Sequence, residues 1–252
     1  MLRNISFRVA LTAVVTAGIM AAAVHTAASA EGQAARGQQP PRSPRAAAPL
    51  DLTGYWVSVI TEDWRFRMVT PLKGDYGAIP MTPEGRKIAN AWDKSKDGSC
   101  LAYGAAGLMR MPLRAHITWE SDSVLKIETD DGMQTRRLFF DRSRAPGPRS
   151  LQGFSVAEWE SGGAGGADGG LTVTTSNMTG GWVRRNGVSY SQDAVLTEYW
   201  DRFAGPKGDE WFSVTAIVDD PKYFSQPFTT SSHFKREPDG SRWRPSPCRN
   251  PT

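Results

Sequence analysis

The sequence predicts an all-β domain, an antiparallel barrel of about nine or ten strands with one short helix, or alternatively a two-sheet β-sandwich. Three observations carry this reading. Short runs of alternating polar and apolar residues recur after Asp51. Their connections are mostly hairpin-length and rich in Gly, Pro and Asp. With so many sequential strands, closure or stacking is what removes exposed sheet edges. The clearest unit is Ala194–Tyr223. Leu196, Glu198 and Trp200 share one face of a first strand, and Val195, Thr197 and Tyr199 the other. A turn at Gly205–Asp209 follows, then a second strand, Trp211–Val218, stopped by Asp219-Asp220-Pro221.

Residues 1–30 have the form of a targeting segment. Arg3 and Arg8 precede a small apolar run, Val9–Val24, and Ala28-Ser29-Ala30 fits an A-x-A cleavage site. The reading is export to the periplasm or beyond, with no membrane span after cleavage; an uncleaved anchor is the alternative. Residues 31–50, rich in Gln, Pro, Arg and Ala, are expected to form a flexible linker. Residues 51–252 are expected to be one domain. Of 30 basic and 26 acidic residues, Arg3, Arg8, Arg36, Arg42, Arg45 and Glu31 precede Asp51, leaving 25 of each sign in the domain. That balance argues against a nucleic-acid surface, which needs a basic face. In an exported chain Cys100 and Cys248 are expected to form a disulfide.

Within the domain, Asp51–Val59 opens with Gly54-Tyr55-Trp56. Glu62–Val69 alternates Trp64, Phe66 and Met68 with Arg65 and Arg67, the pattern of a strand with one wet face. Thr82-Pro83-Glu84 is a helix start, and Ile88, Ala89 and Trp92 continue the helix. In the strand before Trp119, Arg114, His116 and Thr118 share a face opposite Leu113, Ala115 and Ile117. Asp122–Asp130 is the next strand, and Asp131-Gly132 a hairpin turn. Gln152–Glu160 and Leu171–Met178 form another hairpin around the glycine-rich SGGAGGADGG. That connector lacks the Gly-Lys-Ser/Thr of a phosphate loop. Thr229–Lys235 is the last strand.

Gly54-x-Trp56 on a first strand resembles the lipocalin and wider calycin signature, although the Thr-Asp-Tyr motif of lipocalins is not evident. The succession GFSVAEWE, LTVTTSNM, NGVSYSQDAVLTEYWDR and IVDDPKYFSQPF resembles a widespread, largely uncharacterised family of secreted bacterial proteins. The resemblance spans roughly Asp51–Cys248 and is densest over Gln152–Phe228. Many relatives have His before the Ser of the first motif, where this chain has Phe154. The resemblance implies a shared lipocalin-like barrel and no particular activity.

The chemistry that these residues permit centres on His116, with Glu128, Asp130 and Glu198 as carboxylate partners for general acid–base work. Tyr103, Arg110 and Arg114 would bind an anion or polarise a leaving oxygen, and Trp159 and Trp200 would line an aromatic pocket. The expected function is binding of a small hydrophobic or aromatic molecule. Cofactor-free lyase, isomerase or hydrolase activity is one extension, and a non-catalytic structural or partner-binding role in the envelope is the alternative. Neither His-x-His nor His-Glu-x-x-His occurs, so no metal or cofactor is expected. His116 bonding across the sheet and Glu198 paired with a buried arginine are the corresponding non-catalytic readings.

Overall fold

The computed structural model describes residues 42–161 and 169–250. The expected leader, most of the expected linker and the centre of the glycine-rich connector lie outside the described residues. In chain order the strands are β1 (Gly54–Val59), β2 (Arg114–Ser121), β3 (Val124–Thr129), β4 (Asp131–Gly132), β5 (Thr135–Phe139), β6 (Phe154–Trp159) and β7 (Leu171–Ser176). There follow β8 (Gly181–Arg184), β9 (Val188–Tyr190), β10 (Val195–Ala204), β11 (Glu210–Asp219), β12 (Phe228–Glu237) and β13 (Ser246–Pro247). Nine of them close into a barrel in the order β1-β12-β11-β10-β7-β6-β5-β3-β2, with β2 returning to β1.

The barrel closes because its strands alternate cleanly. Ala115 and Ile117 of β2, Leu125 and Ile127 of β3 and Leu196 and Trp200 of β10 are all essentially inaccessible. Arg114, Lys126 and Glu128, at the intervening positions, face outward. This apolar-in, polar-out pattern is the reverse of a lipid-facing barrel. No helix among the described residues is long and apolar enough to cross a membrane. The interior is filled: Phe212 stacks on Phe234 (4.7 Å between centroids) and Trp200 (5.3 Å), with Trp56 edge-on at 4.8 Å.

One pairing departs from the expected antiparallel meander. β5 and β6 run parallel and share only the register pairs Leu138↔Ser155 and Phe139↔Val156. A parallel neighbour requires the chain to travel back along the strands, which residues 140–153 do. The other expected hairpins form, β10 with β11 over ten register pairs, Val195↔Asp219 to Ala204↔Glu210. Gly132 turns the chain from β3 to β5 at φ +77°, and a Cβ there would fall 2.2 Å from the Tyr103 ring.

Registers place the long connections 60–113 and 177–194 at the same end of the barrel, where they form a cap. Helix α1 (Trp64–Arg67) replaces the strand expected over Glu62–Val69. Its alternation misleads because the buried residue is the arginine: Arg67 Nε donates to the Arg110 carbonyl (2.8 Å), while Trp64 and Met68 face solvent. Helix α2 (Pro83–Asn90) starts as expected, with Thr82 Oγ1 accepting from the Gly85 amide at 3.0 Å. Helix α3 (Ala105–Leu108) and the β8–β9 hairpin, not anticipated as strands, complete the cap.

The opposite end is shut by Trp119, Phe140 and Trp159. Residues 42–50, expected as free linker, lie against this end: Trp159 donates its indole N–H to Pro44 O (2.8 Å), and the Arg45 amide donates to Asp122 O (3.0 Å).

Beyond β12 the tail climbs the outer wall to the cap. Trp243 packs edge-on against Tyr55, β13 pairs with β4, and Cys248 is disulfide-bonded to Cys100, 148 residues earlier. A crosslink closing so long a loop contributes about 2–5 kcal/mol. The Cys100→Ser/Cys248→Ser variant is expected to lose that much in urea unfolding; an unchanged midpoint would show that the tail contributes nothing to holding the domain closed.

Candidate functional site

The structure separates the residues expected to act together. Because Ala115 and Ile117 point inward, His116 lies on the outer wall, whereas Glu198 lies inside the barrel. His116 stacks face to face on Tyr55 (4.1 Å, 6° between planes), with Trp243 edge-on at 6.3 Å. Its Nδ1 is 3.8 Å from Glu128, which sits 3.0 Å from Lys126 Nζ. Asp130 is a backbone tie, accepting from the amides of Arg114 (2.7 Å) and Asp131 (2.6 Å). Arg114 in turn donates to Glu237 at 2.9 Å.

Partial burial holds His116 below its ordinary value of 6.5; Lys126 acts the same way and Glu128 opposes. The folded state therefore prefers the neutral ring. Its contribution is full above the unfolded value and is lost as pH falls through the folded one. NMR titration should place the His116 midpoint below 6.5, with stability declining on acidification across that window and His116→Gln removing the decline. A midpoint at or above the ordinary value would contradict this.

Glu198 is bound to Arg136 by a fork of two bonds, one of them 3.0 Å, and both side chains are buried. Arg136 also donates to Ser155 Oγ (3.2 Å) and Thr175 Oγ1 (2.8 Å), and those hydroxyls bond each other at 2.8 Å. Every guanidinium nitrogen is satisfied within the protein, which makes this an internal brace. Removing one partner of a buried pair costs about 3–5 kcal/mol, whereas replacing both is far milder. Glu198→Gln and Arg136→Met should each lose that much in urea unfolding, with Arg136→Met/Glu198→Leu well below their sum; an additive double variant would mean that the two groups are not coupled.

The expected ligand contacts also scatter. Tyr103 is buried under the cap and donates its hydroxyl to Asp131 at 2.8 Å. Burial, then Asp131, pushes that hydroxyl upward from its usual range. Trp159 closes the far end of the barrel and Trp200 fills its interior. Arg110 lies in the cap beside Asp63 (3.2 Å).

An open cleft of about 530 Å³ lies instead on the cap, between α2 and the β8–β9 hairpin. Ile88, Trp92, Leu101 and Trp182 line its apolar side, and Ser95, Lys96, Ser99 and Arg249 its polar side. Among the described residues, no carboxylate ion-pairs with Lys96 or Arg249. Trp92 and Trp182 both line the cleft, and Gly187 at φ +84° presses on Trp92; a Cβ there would lie 2.4 Å from the Trp92 Cβ. Tail packing places Arg249: its amide donates to Gly98 O and its carbonyl accepts from the Cys100 amide, both at 2.8 Å. A second recess of about 350 Å³ continues past Ile88, Leu101, Trp182 and Ser189 to Lys222 and Tyr223. Sequence reasoning missed this site because its walls come from three distant segments, 88–101, 182–189 and 249–250. Its one local signal was Asn186-Gly187. Among the described residues, no cluster of three or more His, Cys, Asp or Glu side chains is placed to hold a metal ion.

Comparison of the chain with protein-family models, with curated proteins and with solved structures gave no match.

Proposed function

We propose that this protein is an exported, lipocalin-like barrel protein that binds a small aromatic or hydrophobic molecule carrying an anionic group, and that it does so in the cap cleft and not in the barrel lumen. The observation that carries the reading is the cleft itself: two tryptophans and two aliphatic side chains facing two cations that pair with no carboxylate among the described residues. An apolar recess with a few convergent polar groups is the usual form of a small-molecule site. The filled lumen disfavours a ligand inside the barrel. The leader-like residues 1–30 and the Cys100–Cys248 crosslink support an oxidising, extracytoplasmic location. Binding without catalysis is favoured because His116 and Glu198 lie on opposite sides of the barrel wall.

Native mass spectrometry of the domain purified from the periplasm, repeated after denaturation and after challenge with aromatic carboxylates and their neutral amides, tests this. The expected result is a small molecule lost on denaturation, or retention of the carboxylates. Arg249→Gln should weaken the carboxylates by about tenfold while leaving the amides unchanged. Trp182→Ala should weaken both. A bare mass under every condition would favour the structural or partner-binding role.

A further inference from the structure

A second cluster in the cap contains more positive charge than the protein compensates. Arg67, Arg110 and Arg184 are 3%, 4% and 3% exposed. Arg110 is close enough to the other two to disfavour their charged forms: burial first, then Arg110, holds both Arg67 and Arg184 down to about 10. The nearby carboxylates are already engaged. Asp75 pairs with Arg65 (2.5 Å), Asp63 with Arg110 (3.2 Å), and Glu62 with Arg67 (3.3 Å) and also with His233.

Among the described residues, no carboxylate pairs with Arg184, its Nε, Nη1 and Nη2 are all buried without a hydrogen-bond acceptor, and Arg67 Nη2 is likewise unpartnered. The guanidinium lies 3.8 Å over the Phe66 ring. A cation–π contact returns less than burying an uncompensated ion costs. Deprotonation does not remove the deficit, because arginine stays charged at neutral pH. The group that would complete the site is a compact, negatively charged hydrogen-bond acceptor.

We infer that the cap holds a second ligand site, in which a compact oxyanion of the phosphate or sulfate type binds Arg184 beside Arg110, beneath Phe66 and α1. The planar guanidinium fork matches such oxygens in pairs. The site is distinct from the tryptophan-lined cleft, and Arg184 is not among the residues lining that cleft.

The test is calorimetric titration of the folded domain with inorganic phosphate, sulfate and phenyl phosphate, with melting followed at constant ionic strength. Wild type is expected to bind phosphate or sulfate and to melt higher in their presence than in chloride. Arg184→Met should abolish binding and the melting shift without lowering the melting temperature in chloride. Should that variant fail to fold, Arg184→Lys keeps the charge without the fork and should bind about tenfold more weakly. Arg242→Gln, an exposed control, should behave as wild type. Tighter binding of phenyl phosphate would identify the oxyanion as the end of a larger molecule. The inference is overturned if wild type binds none of the three anions, or if Arg184→Met or Arg184→Lys binds them unchanged.

Discussion

The barrel depends on the Arg136–Glu198 pair because of where it lies. The β5–β6 seam has two register pairs, whereas β10 and β11 share ten. Arg136 extends from β5 across that seam to Ser155 on β6, Thr175 on β7 and Glu198 on β10. One side chain thus joins four consecutive strands through the interior. A hydrophobic residue could fill the same volume but would not fix which strand follows which. The brace supplies direction where the ladder is shortest, and its full satisfaction is what makes burial of two charges tolerable.

The remaining architecture is a division between a packed lumen and an uneven cap. Inside, aromatic rings stack on one another and the polar groups of the Arg136 network are paired. In the cap, Trp92 and Trp182 border open space, Arg184 has no acceptor among the described residues, and helix α1 exposes Trp64 while burying Arg67. Among the described residues, most buried polar atoms without a partner lie in the cap, although the indole N–H of Trp200 in the lumen is unpartnered too.

Much of the barrel was legible in the sequence, since period-two alternation in β2, β3, β10 and β11 is a direct imprint of a wall with one dry side. Which side was dry was less legible for β2. Ala115 and Ile117 are small or moderate in size, and His116 with Thr118 presented an equally regular opposite row. Alternation failed outright at Glu62–Val69, because an arginine can be the buried member of a segment when backbone carbonyls and a carboxylate receive it. The parallel β5–β6 pairing was hidden because strand direction is set by where the loop travels and not by the strand residues. The cleft was nearly invisible: Trp92, Leu101, Trp182 and Arg249 carry no shared period or spacing. Only the Asn186-Gly187 turn hinted that backbone and a bulky neighbour would come close together.

The two excursions that build the cap, residues 60–113 and 177–194, both leave and rejoin the barrel at one rim. Their ends are held by strands whose register is settled elsewhere, through β10–β11, β11–β12 and the Arg136 brace. Exchanging the outermost residues of either excursion leaves that register in place, while Tyr103, Leu108, Met109 and Met111 of the first stay packed in the barrel core. The barrel is in this sense a mount on which recognition elements are interchangeable. Grafting a foreign loop between Gly180 and Ala194 is a natural way to give the same scaffold a different specificity.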